Sequence, residues 1–465
     1  MATTATDRRL ARGIAAAFLL ALGSCAPAGP PEPETPPVVA RPAPSEPAPP
    51  APRDSVPDVV APVPRPPADT ARRDTVPPVP ARVSGAAPEI RAGLLVGASS
   101  AAVGGGDELV VAGAEGGFLG VIPAGEAWEA TPGGSGVVLR GARGRFSDRQ
   151  LRLAPRAGNG LVRAGGRDYR GALILFRDRT GLTVVNRVDL EAYLAGVVGA
   201  EMGRRPEGDR EALRAQAIVS RTYALRNRNR WRTAGFDYYA TVADQVYLGV
   251  AGENDPAREA VNATRGAVVT WGGAPIDAFF FSTCGGRTEL GTEVFRGAGR
   301  PYLRSVPDTD QRGTAYCAES PRYRWREEWT GRELRAALRQ GLAAVGAAPA
   351  EEVRLVRDVR VAGRTASGRV ARLLVTLQDR TVSVESARIR QALRSPSGEI
   401  LRSTLFSLSA TSGGDEIRSL AVEGSGAGHG VGFCQWGAIG RSRGGQRFDA
   451  IIAAYFPGTR LERFY

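Results

Sequence analysis

Short apolar runs separated by glycine fill residues 88–187. They include "ELVVAG", "GVVLRG", "GALILFR" and "LTVVNRV", in which aliphatic and β-branched residues alternate or cluster. Runs of four to eight such residues bounded by glycine are typical of β-strands. Residues 88–187 are therefore predicted to form a β-rich module, and no charged constellation within it indicates chemistry.

The pattern changes to a helical period at residue 190. Four aliphatic residues recur on one face: Leu190, Leu194, Val197 and Val198. Asp189 precedes them as an N-cap, and Glu201 follows three turns after Leu190 on the same face. Burial raises the pKa of a carboxylate, as a general acid near neutral pH requires. The alternative is a structural carboxylate bonded to an arginine such as Arg204 or Arg214.

A second helix is predicted over "REALRAQAIVSRTYALRNRNR", with Asp209 as its N-cap. Its apolar stripe contains Leu213, Ala217 and Ala224. A polar stripe of the same period contains Gln216, Ser220, Tyr223 and Asn227. This polar stripe either borders a groove that binds hydroxyl-rich ligands or is an ordinary solvated face.

Residues 330–420 have the pattern of an α+β insertion. "TGRELRAALRQGL" predicts a helix, and the stretch from "VRDVRV" to "RIRQALR" predicts a hairpin followed by a helix. This small subdomain is expected to form one wall of a groove. No catalytic constellation occurs in it.

The N-terminus has the pattern of an export signal. Arginines 8, 9 and 12 precede the apolar run "GIAAAFLLAL", which is too short to span a bilayer and is followed by "LGSC". "LGSC" resembles a bacterial lipobox, which would make Cys25 the lipidated first residue of the mature protein; the alternative is plain secretion. Residues 26–87 are proline-rich and predict a disordered, extended tether.

Composition and charge limit the chemistry and the kinds of binding partner that the sequence allows. All 61 basic residues are arginine, so Schiff-base lysine chemistry is excluded, and the net charge is +13. Such a charge suits an anionic partner. The arginines are scattered without a dense run or interleaved aromatics, so no nucleic-acid partner is expected.

The only histidine of the sequence, His429, lies between glycines in "GSGAGHGVGFCQWGAIG". Flanking glycines let a backbone turn sharply or approach a ligand closely. One histidine cannot make a metal site alone. Beside Gln435 and Trp436, His429 is a candidate for contact with a sugar.

Several ordered blocks then resemble one family. "VNRVDLEAYLAGVVGAEM", "EALRAQAIVSRTYAL", "DQVYLG", "FSTCGGRTE", "PYLRSV" and "GHGVGFCQWGAIG…YFPGT" are similar to the successive blocks of the stage II sporulation protein D family, which includes the amidase enhancers. The similarity covers roughly residues 88–465. It implies a secreted domain that acts on peptidoglycan, and it splits the catalytic core into residues 188–329 and 421–465 around the insertion.

The resemblance implies a lytic transglycosylase. Such enzymes cut glycan strands between N-acetylmuramic acid and N-acetylglucosamine, leaving 1,6-anhydro ends, and prefer strands without stem peptides. The glutamate of the family's "EM" motif is Glu201 here, although Gly203 stands where relatives often carry proline. The expected fold is α+β: a β-rich module, a helical catalytic segment and a small insertion around a groove, after a disordered tether.

Five further residues in these blocks are expected to bind substrate: Arg221, Tyr223, Gln245, His429 and Gln435. Asp244 is the nearest second carboxylate, for which structural capping is expected. The alternative function is a non-catalytic glycan-binding module that enhances a cell-wall amidase. In both cases the partner is peptidoglycan, and the location is extracytoplasmic with a lipid anchor.

The cysteines leave two alternatives open. Some relatives bind zinc through a histidine and two cysteines near the "HSTSGG"-like block, but Phe281 occupies that histidine position. In an oxidising compartment Cys284 and Cys317 are expected to form a disulfide, with no cofactor. The alternative is a zinc site of Cys284, Cys317, Cys434 and His429.

Overall fold

The computed structural model describes residues 85–241, 243–295 and 297–465. All of them belong to one compact unit, Thr75–Tyr465. The predicted leader with Cys25 and the predicted tether up to residue 84 lie outside the described residues. Within the described ranges, no helix has both the length and the hydropathy of a membrane span.

The N-terminal part is a module of two sheets. Its strands are β1 (Glu89–Ala98), β2 (Ala101–Gly105), β3 (Leu109–Ala112), β4 (Phe118–Ile122), β5 (Ala127–Gly133), β6 (Gly136–Gly141), β7 (Gly144–Asp148), β8 (Gln150–Pro155), β9 (Val162–Ala164), β10 (Arg167–Tyr169), β11 (Ala172–Arg177) and β12 (Leu182–Asp189). One sheet has the order β1-β12-β11-β8-β3-β4, and the other β10-β9-β2-β5-β6-β7. The β-rich character predicted for this segment is confirmed.

Buried and exposed side chains alternate with a period of two residues, which explains why such segments form strands. In β8, Leu151 and Leu153 are fully buried while Arg152 between them is exposed. In the second sheet, buried Trp128 of β5 stacks on Phe146 of β7 with ring centroids 5.1 Å apart. Strands such as β8 therefore bury one face, while β12, which leads into the first helix, is buried on both faces.

Strand β12 leads directly into the helical core. Its elements are α1 (Leu190–Met202), α2 (Arg210–Arg226), β13 (Tyr238–Tyr239), α3 (Asp255–Ala263), β14 (Ala267–Trp271), β15 (Ala274–Pro275), β16 (Phe280–Phe281) and α4 (Gly291–Val294). Single 3-10 turns lie at Glu207–Asp209, Arg232–Ala234 and Gly249–Gly252. Strand β13 pairs in parallel with β1 and extends the first sheet.

The two predicted N-caps have different outcomes. Asp189 caps α1, because its carboxylate accepts the backbone N–H of Glu191 at 2.9 Å and of Ala192 at 3.2 Å. Asp209 stands before α2 but makes no capping bond. It is fully buried and pairs with Arg443 at 2.7 and 3.0 Å, so the predicted cap is instead an ion pair.

Helix α1 is buried on nearly every side. One of its close contacts requires a glycine. A Cβ added to Gly199 would lie 1.9 Å from the carbonyl oxygen of Gly252. Only glycine lets the backbones approach this closely. The contact brings the segment before Gly252 alongside the C-terminal half of α1.

The insertion has its own hydrophobic core, which extends from Trp325 to Val422. Its elements are β17 (Arg324–Thr330), α5 (Gly331–Ala344), a 3-10 turn (Ala350–Glu352), β18 (Val356–Arg364), β19 (Val370–Leu377), β20 (Thr381–Glu385), α6 (Arg388–Ala392), β21 (Phe406–Gly413) and β22 (Glu416–Ser425). They form sheets β17-β22-β21 and β18-β19-β20. Thr330 and Glu333 form a capping box on the predicted helix α5. The predicted hairpin gains a third strand, β20.

The C-terminal segment returns to the helical core. It forms β23 (Phe433–Cys434), α7 (Gln435–Arg443), α8 (Phe448–Tyr455) and β24 (Arg460–Arg463). Strand β23 pairs in parallel with β16, and β24 pairs antiparallel with β14. The two pairings bring the first residue of α7 close to the end of α1, although these residues are more than 230 positions apart in the sequence. Together these elements form the α+β fold that the sequence predicts.

Candidate active site

Glu201 ends α1 with its carboxylate held by two uncharged donors. The backbone N–H of Val246 donates to Oε1 at 3.1 Å, and Nε2 of Gln435 donates to Oε2 at 3.3 Å. Burial raises the pKa of Glu201 above its ordinary value, and the two hydrogen bonds offset only part of that rise. Among the described residues, neither Arg204 nor Arg214 nor any other charged group contributes to this pKa, so the carboxylate is not held by the arginines that the structural alternative named.

The carboxylate lies in a cavity of about 870 Å³. The α1 end contributes Glu201, Met202, Gly203 and Arg205; α2 and the segment after it contribute Tyr223, Arg230, Ala243, Asp244 and Val246; the remaining walls are Phe279, Phe280, Phe281, Ser282, Phe295, Arg322, Arg390, Ile400, Gly428, His429, Gln435, Trp436 and Ile439. This volume falls within the range of about 300–1,000 Å³ of ligand pockets. The insertion supplies Arg390 and Ile400, so it forms part of one wall as the sequence predicts.

Basic and aromatic groups dominate the lining beside Glu201. Among the residues that the structure describes, four arginines border the cavity: Arg205, Arg230, Arg322 and Arg390. The guanidinium of Arg205 lies over the Trp436 ring, 4.9 Å from its centroid. The cavity therefore offers flat aromatic surface and positive charge.

Asp244 also borders the cavity, but all its bonding capacity is used within the fold. Its Oδ1 accepts from the hydroxyl of Tyr223 at 3.0 Å and from Arg230 at 2.9 Å. Its Oδ2 accepts from the indole N–H of Trp231 at 2.8 Å and the backbone N–H of Tyr239 at 2.9 Å. Burial and the adjacent Asp244 charge raise the pKa of Tyr223. Asp244 is thus a structural anchor, in line with the sequence-based expectation.

His429 lines the cavity with both ring nitrogens already bonded. Nδ1 accepts the backbone N–H of Val431 at 3.1 Å, so Nε2 donates to the Phe280 carbonyl at 2.9 Å. Burial lowers the pKa of His429 to about 4, which keeps the ring neutral. The expected hydrogen bond from His429 to a sugar is corrected: the histidine fixes the backbone of Phe280 and presents only ring surface.

Two predicted substrate-binding residues do not reach the cavity. Arg221 is fully buried and donates to Glu191 through Nε at 2.8 Å and through Nη2 at 2.7 Å. Gln245 is fully buried as well, accepting from the Tyr193 hydroxyl at 3.3 Å. Both assignments are corrected, because the polar groups of these residues serve the core. The neighbouring residue, Val246, reaches Glu201 through a backbone amide that no residue-type pattern reveals.

The other predicted residues, Tyr223 and Gln435, do border the cavity with Glu201. On the polar stripe of α2, Gln216 donates to Ser220 at 2.9 Å and both are fully buried. Of the four residues of this polar stripe, only Tyr223 lines the cavity. The stripe is therefore mainly an internal polar contact.

The cysteines gather behind this wall as free thiols. The Sγ atoms of Cys284 and Cys317 lie 3.5 Å apart, beyond the roughly 2.05 Å of a disulfide, so the expected bond is not formed in the structure. Cys434 and Asp308 complete the cluster. His429 is not a member of it, because its nitrogens face Phe280 and Val431, and the predicted zinc ligand set is corrected at that position. Sequence inspection missed Asp308, whose only signal is its place between the two cysteines.

A second cavity of about 710 Å³ lies on the insertion, among Arg324, Arg326, Arg364 and Glu423. Glu423 is exposed and pairs with Arg326, so it has none of the burial that raises the pKa of Glu201. The cavity at Glu201 is therefore the candidate active site.

Comparisons with known proteins match the parts of the chain that form this cavity. The family model described as "Stage II sporulation protein" matches residues 178–271, which contain α1 and α2. A model described as a domain of unknown function matches residues 311–432, which contain the insertion.

Three relatives extend the similarity. An uncharacterized protein of Brachyspira hyodysenteriae (strain ATCC 49526 / WA1) is 30% identical over 300 residues, covering 64% of this chain and 73% of the relative. The stage II sporulation protein D of Bacillus subtilis (strain 168) is 29% identical, covering 61% and 77%. The amidase enhancer of the same organism is 25% identical, covering 58% of this chain and 40% of the enhancer. The chain therefore belongs to the stage II sporulation protein D family.

Proposed function

We propose that the protein is a peptidoglycan lytic transglycosylase, with Glu201 as its single general acid and base. The observation that carries this proposal is a carboxylate of raised pKa in the wall of an 870 Å³ cavity, held by two neutral donors of the described residues. The relatives named for sporulation stage II and for amidase enhancement support a role in remodelling the cell wall.

One carboxylate suffices for this reaction. Glu201 donates its proton to the glycosidic oxygen as the bond from that oxygen to C1 of N-acetylmuramic acid breaks. The C6 hydroxyl of the same sugar then attacks C1, and Glu201 takes the hydroxyl proton. The 1,6-anhydro ring closes, no water is consumed and Glu201 is regenerated. Ordinary glycosidases need a second carboxylate to activate water or attack C1. Asp244 is fully engaged by four donors, which fits the single-carboxylate scheme.

The two donors on Glu201 have a definite part in the cycle. Once the proton has left, Val246 N–H and the Gln435 amide stabilise the carboxylate that remains. Because they are uncharged, they do so without lowering the pKa as far as an arginine would. Glu201 is thus held in position and still retains its proton more tightly than an exposed glutamate.

The cavity suits glycan without stem peptides. Removal of a stem peptide exposes the lactyl carboxylate of N-acetylmuramic acid. The lining arginines, of which Arg205 lies four residues after Glu201, provide partners for that charge. Trp436 and Phe280 provide flat apolar surface for the sugar rings.

The test is digestion of denuded glycan strands, followed by mass spectrometry. The wild type should release fragments with 1,6-anhydro ends. Glu201→Gln should lower the rate at least about 100-fold, the lower bound for losing a general acid. Glu259→Gln, on the exposed side of α3, is the matched control and should leave turnover unchanged. Undiminished cleavage by Glu201→Gln would remove this residue from the acid role.

The second candidate is a non-catalytic glycan-binding module that enhances an amidase, favoured by the similarity to the amidase enhancer. It predicts no anhydro ends from the protein alone. It also predicts faster release of stem peptides when an N-acetylmuramoyl-L-alanine amidase is added, with equal enhancement by wild type and Glu201→Gln.

The substrate lies outside the cytoplasm, so the proposal includes export and a lipid anchor at Cys25. Cys25→Ala should move the protein from the membrane fraction to the soluble extracytoplasmic fraction. An unchanged membrane fraction would leave the lipobox without support.

A further inference from the structure

Three thiols and one carboxylate from three separate segments meet behind the wall of the cavity. Cys284 follows β16, Asp308 and Cys317 lie in the segment before the insertion, and Cys434 ends β23. All four residues are fully buried. The Sγ atoms of Cys284 and Cys317 are 3.5 Å apart, and Sγ of Cys284 is 3.1 Å from Oδ2 of Asp308.

These separations are close to those of a tetrahedral metal site. The four candidate ligand atoms lie within 4.8 Å of one another. Zinc binds thiolate sulfur at about 2.3 Å and carboxylate oxygen at about 2.0–2.2 Å, so the edges of its tetrahedron measure about 3.5–3.8 Å. Small side-chain shifts therefore suffice to place all four atoms around one ion.

Backbone N–H groups hold two of the thiols in orientation. The backbone N–H groups of Cys284 and Gly437 both donate to Sγ of Cys434 at 3.2 Å, and the N–H of Gly286 donates to Sγ of Cys284 at 3.3 Å. Such bonds orient the two sulfur atoms, and a metal ion binds in place of the thiol protons. They constitute the supporting shell that metal ligands in proteins require.

Asp308 is oriented in the same way. Its Oδ1 accepts from Arg441 at 3.0 Å and from the hydroxyl of Tyr455 at 2.8 Å, which leaves Oδ2 facing the thiols. Three thiolates and a carboxylate around a divalent ion leave two surplus negative charges. Arg441 offsets one of them directly, and the buried Arg369 donates to the Cys284 carbonyl at 2.7 Å.

We propose that Cys284, Asp308, Cys317 and Cys434 bind one structural zinc ion. Thiolate-rich tetrahedral sites select zinc, and four protein ligands leave no open position for catalysis. Binding displaces the thiol protons to solvent. The inference does not depend on the proposed glycan chemistry.

The ion would join the two halves of the cavity wall. Cys434 immediately precedes Gln435, whose amide donates to Glu201, and Cys284 lies two residues after Ser282 in the opposite segment. Fixing both cysteines to one ion fixes the separation of these segments. A merely packed cluster of thiols would not provide this restraint.

The site is tested on the full chain, produced with zinc in the medium and purified without chelators. Elemental analysis should find one zinc per chain. Replacement by Co²⁺ should give thiolate-to-cobalt charge-transfer absorption, which Cys317→Ser should lower by about one third because one of three thiolates is lost. Asp308→Asn should retain that absorption and weaken Co²⁺ binding. His429→Asn is the control and should leave the zinc content unchanged, since His429 is not in the cluster.

A chelator provides a second measurement on the wild type, should a variant fail to fold. Removing zinc should lower the Tm, and adding Zn²⁺ should restore it. The proposal is overturned by a zinc-free protein whose peptide map without reductant shows a Cys284–Cys317 disulfide. It is equally overturned by a cobalt spectrum that Cys317→Ser does not change, or by a Tm that chelation leaves unchanged.

Discussion

Replacing Gln435 by leucine should move the pH dependence of cleavage in a defined direction. The Gln435 amide donates to Oε2 of Glu201 at 3.3 Å and favours the charged carboxylate. Without it, the proton is held more tightly and the pKa of Glu201 rises further. Hydrogen bonds to charged groups contribute about 1.5–3 kcal/mol, and this long one is taken at about 1.4 kcal/mol. Since 1.36 kcal/mol equals one pKa unit, the shift is about one unit.

The assay is kcat/KM on denuded glycan strands as a function of pH. A general acid acts while protonated, so the rate falls as pH rises through its pKa. That alkaline limb should lie about one unit higher in Gln435→Leu than in the wild type. Gln340→Leu, at an exposed position of α5, should leave it in place. A limb that stays fixed or moves to lower pH in Gln435→Leu would refute the assignment of this titration to Glu201.

Three further substitutions test the core and the anchor. Arg221→Met should destabilise the fold by about 3–5 kcal/mol in denaturant unfolding, because Glu191 would be left buried and unpaired. Asp244→Asn should cost about 1.5–3 kcal/mol of stability by weakening its charge-assisted bonds, including the one from Tyr223, while the alkaline limb keeps its position. Gly199→Ala should destabilise by about 1–3 kcal/mol or more, because its Cβ would collide with a backbone oxygen 1.9 Å away.

Each substitution has an outcome that would contradict its reasoning. Normal stability with lost glycan binding in Arg221→Met would return that arginine to the groove; Arg332→Met, exposed on α5, is the control. Abolished cleavage with normal stability in Asp244→Asn would make Asp244 a second catalytic carboxylate. Wild-type stability of Gly199→Ala would mean that α1 and the adjoining turn do not need their close approach.

Local pattern predicted the feature on which the chemistry depends. Helix α1 begins at Leu190 and ends at Met202 as its apolar period and its cap at Asp189 indicate. Both signals are carried by neighbouring residues, so the phase of Glu201 could be derived from the sequence. The small insertion was predictable for the same reason, because the capping box of α5 and the alternation of its strands are local.

What the sequence did not reveal depends on distant partners. Residue type does not distinguish an arginine buried in the core from one that lines a groove. Arg221 lies inside because it pairs with Glu191, thirty positions away in the sequence. The amide of Val246 acts through the backbone, which no side-chain pattern encodes. Asp308 joins Cys284 and Cys434 because the fold brings two distant segments to it. Long-range placement, not residue type, decided these assignments.

The most direct measurement is the titration of Glu201 itself. Carboxyl ¹³C chemical shifts of protein labelled in its glutamates, followed against pH in the wild type and in Glu201→Gln, identify the Glu201 signal as the one that disappears. Its midpoint should lie above 4.5, the ordinary glutamate value, because burial opposes ionisation. A midpoint at or below 4.5 would mean that the carboxylate has lost its proton at working pH and cannot serve as the acid.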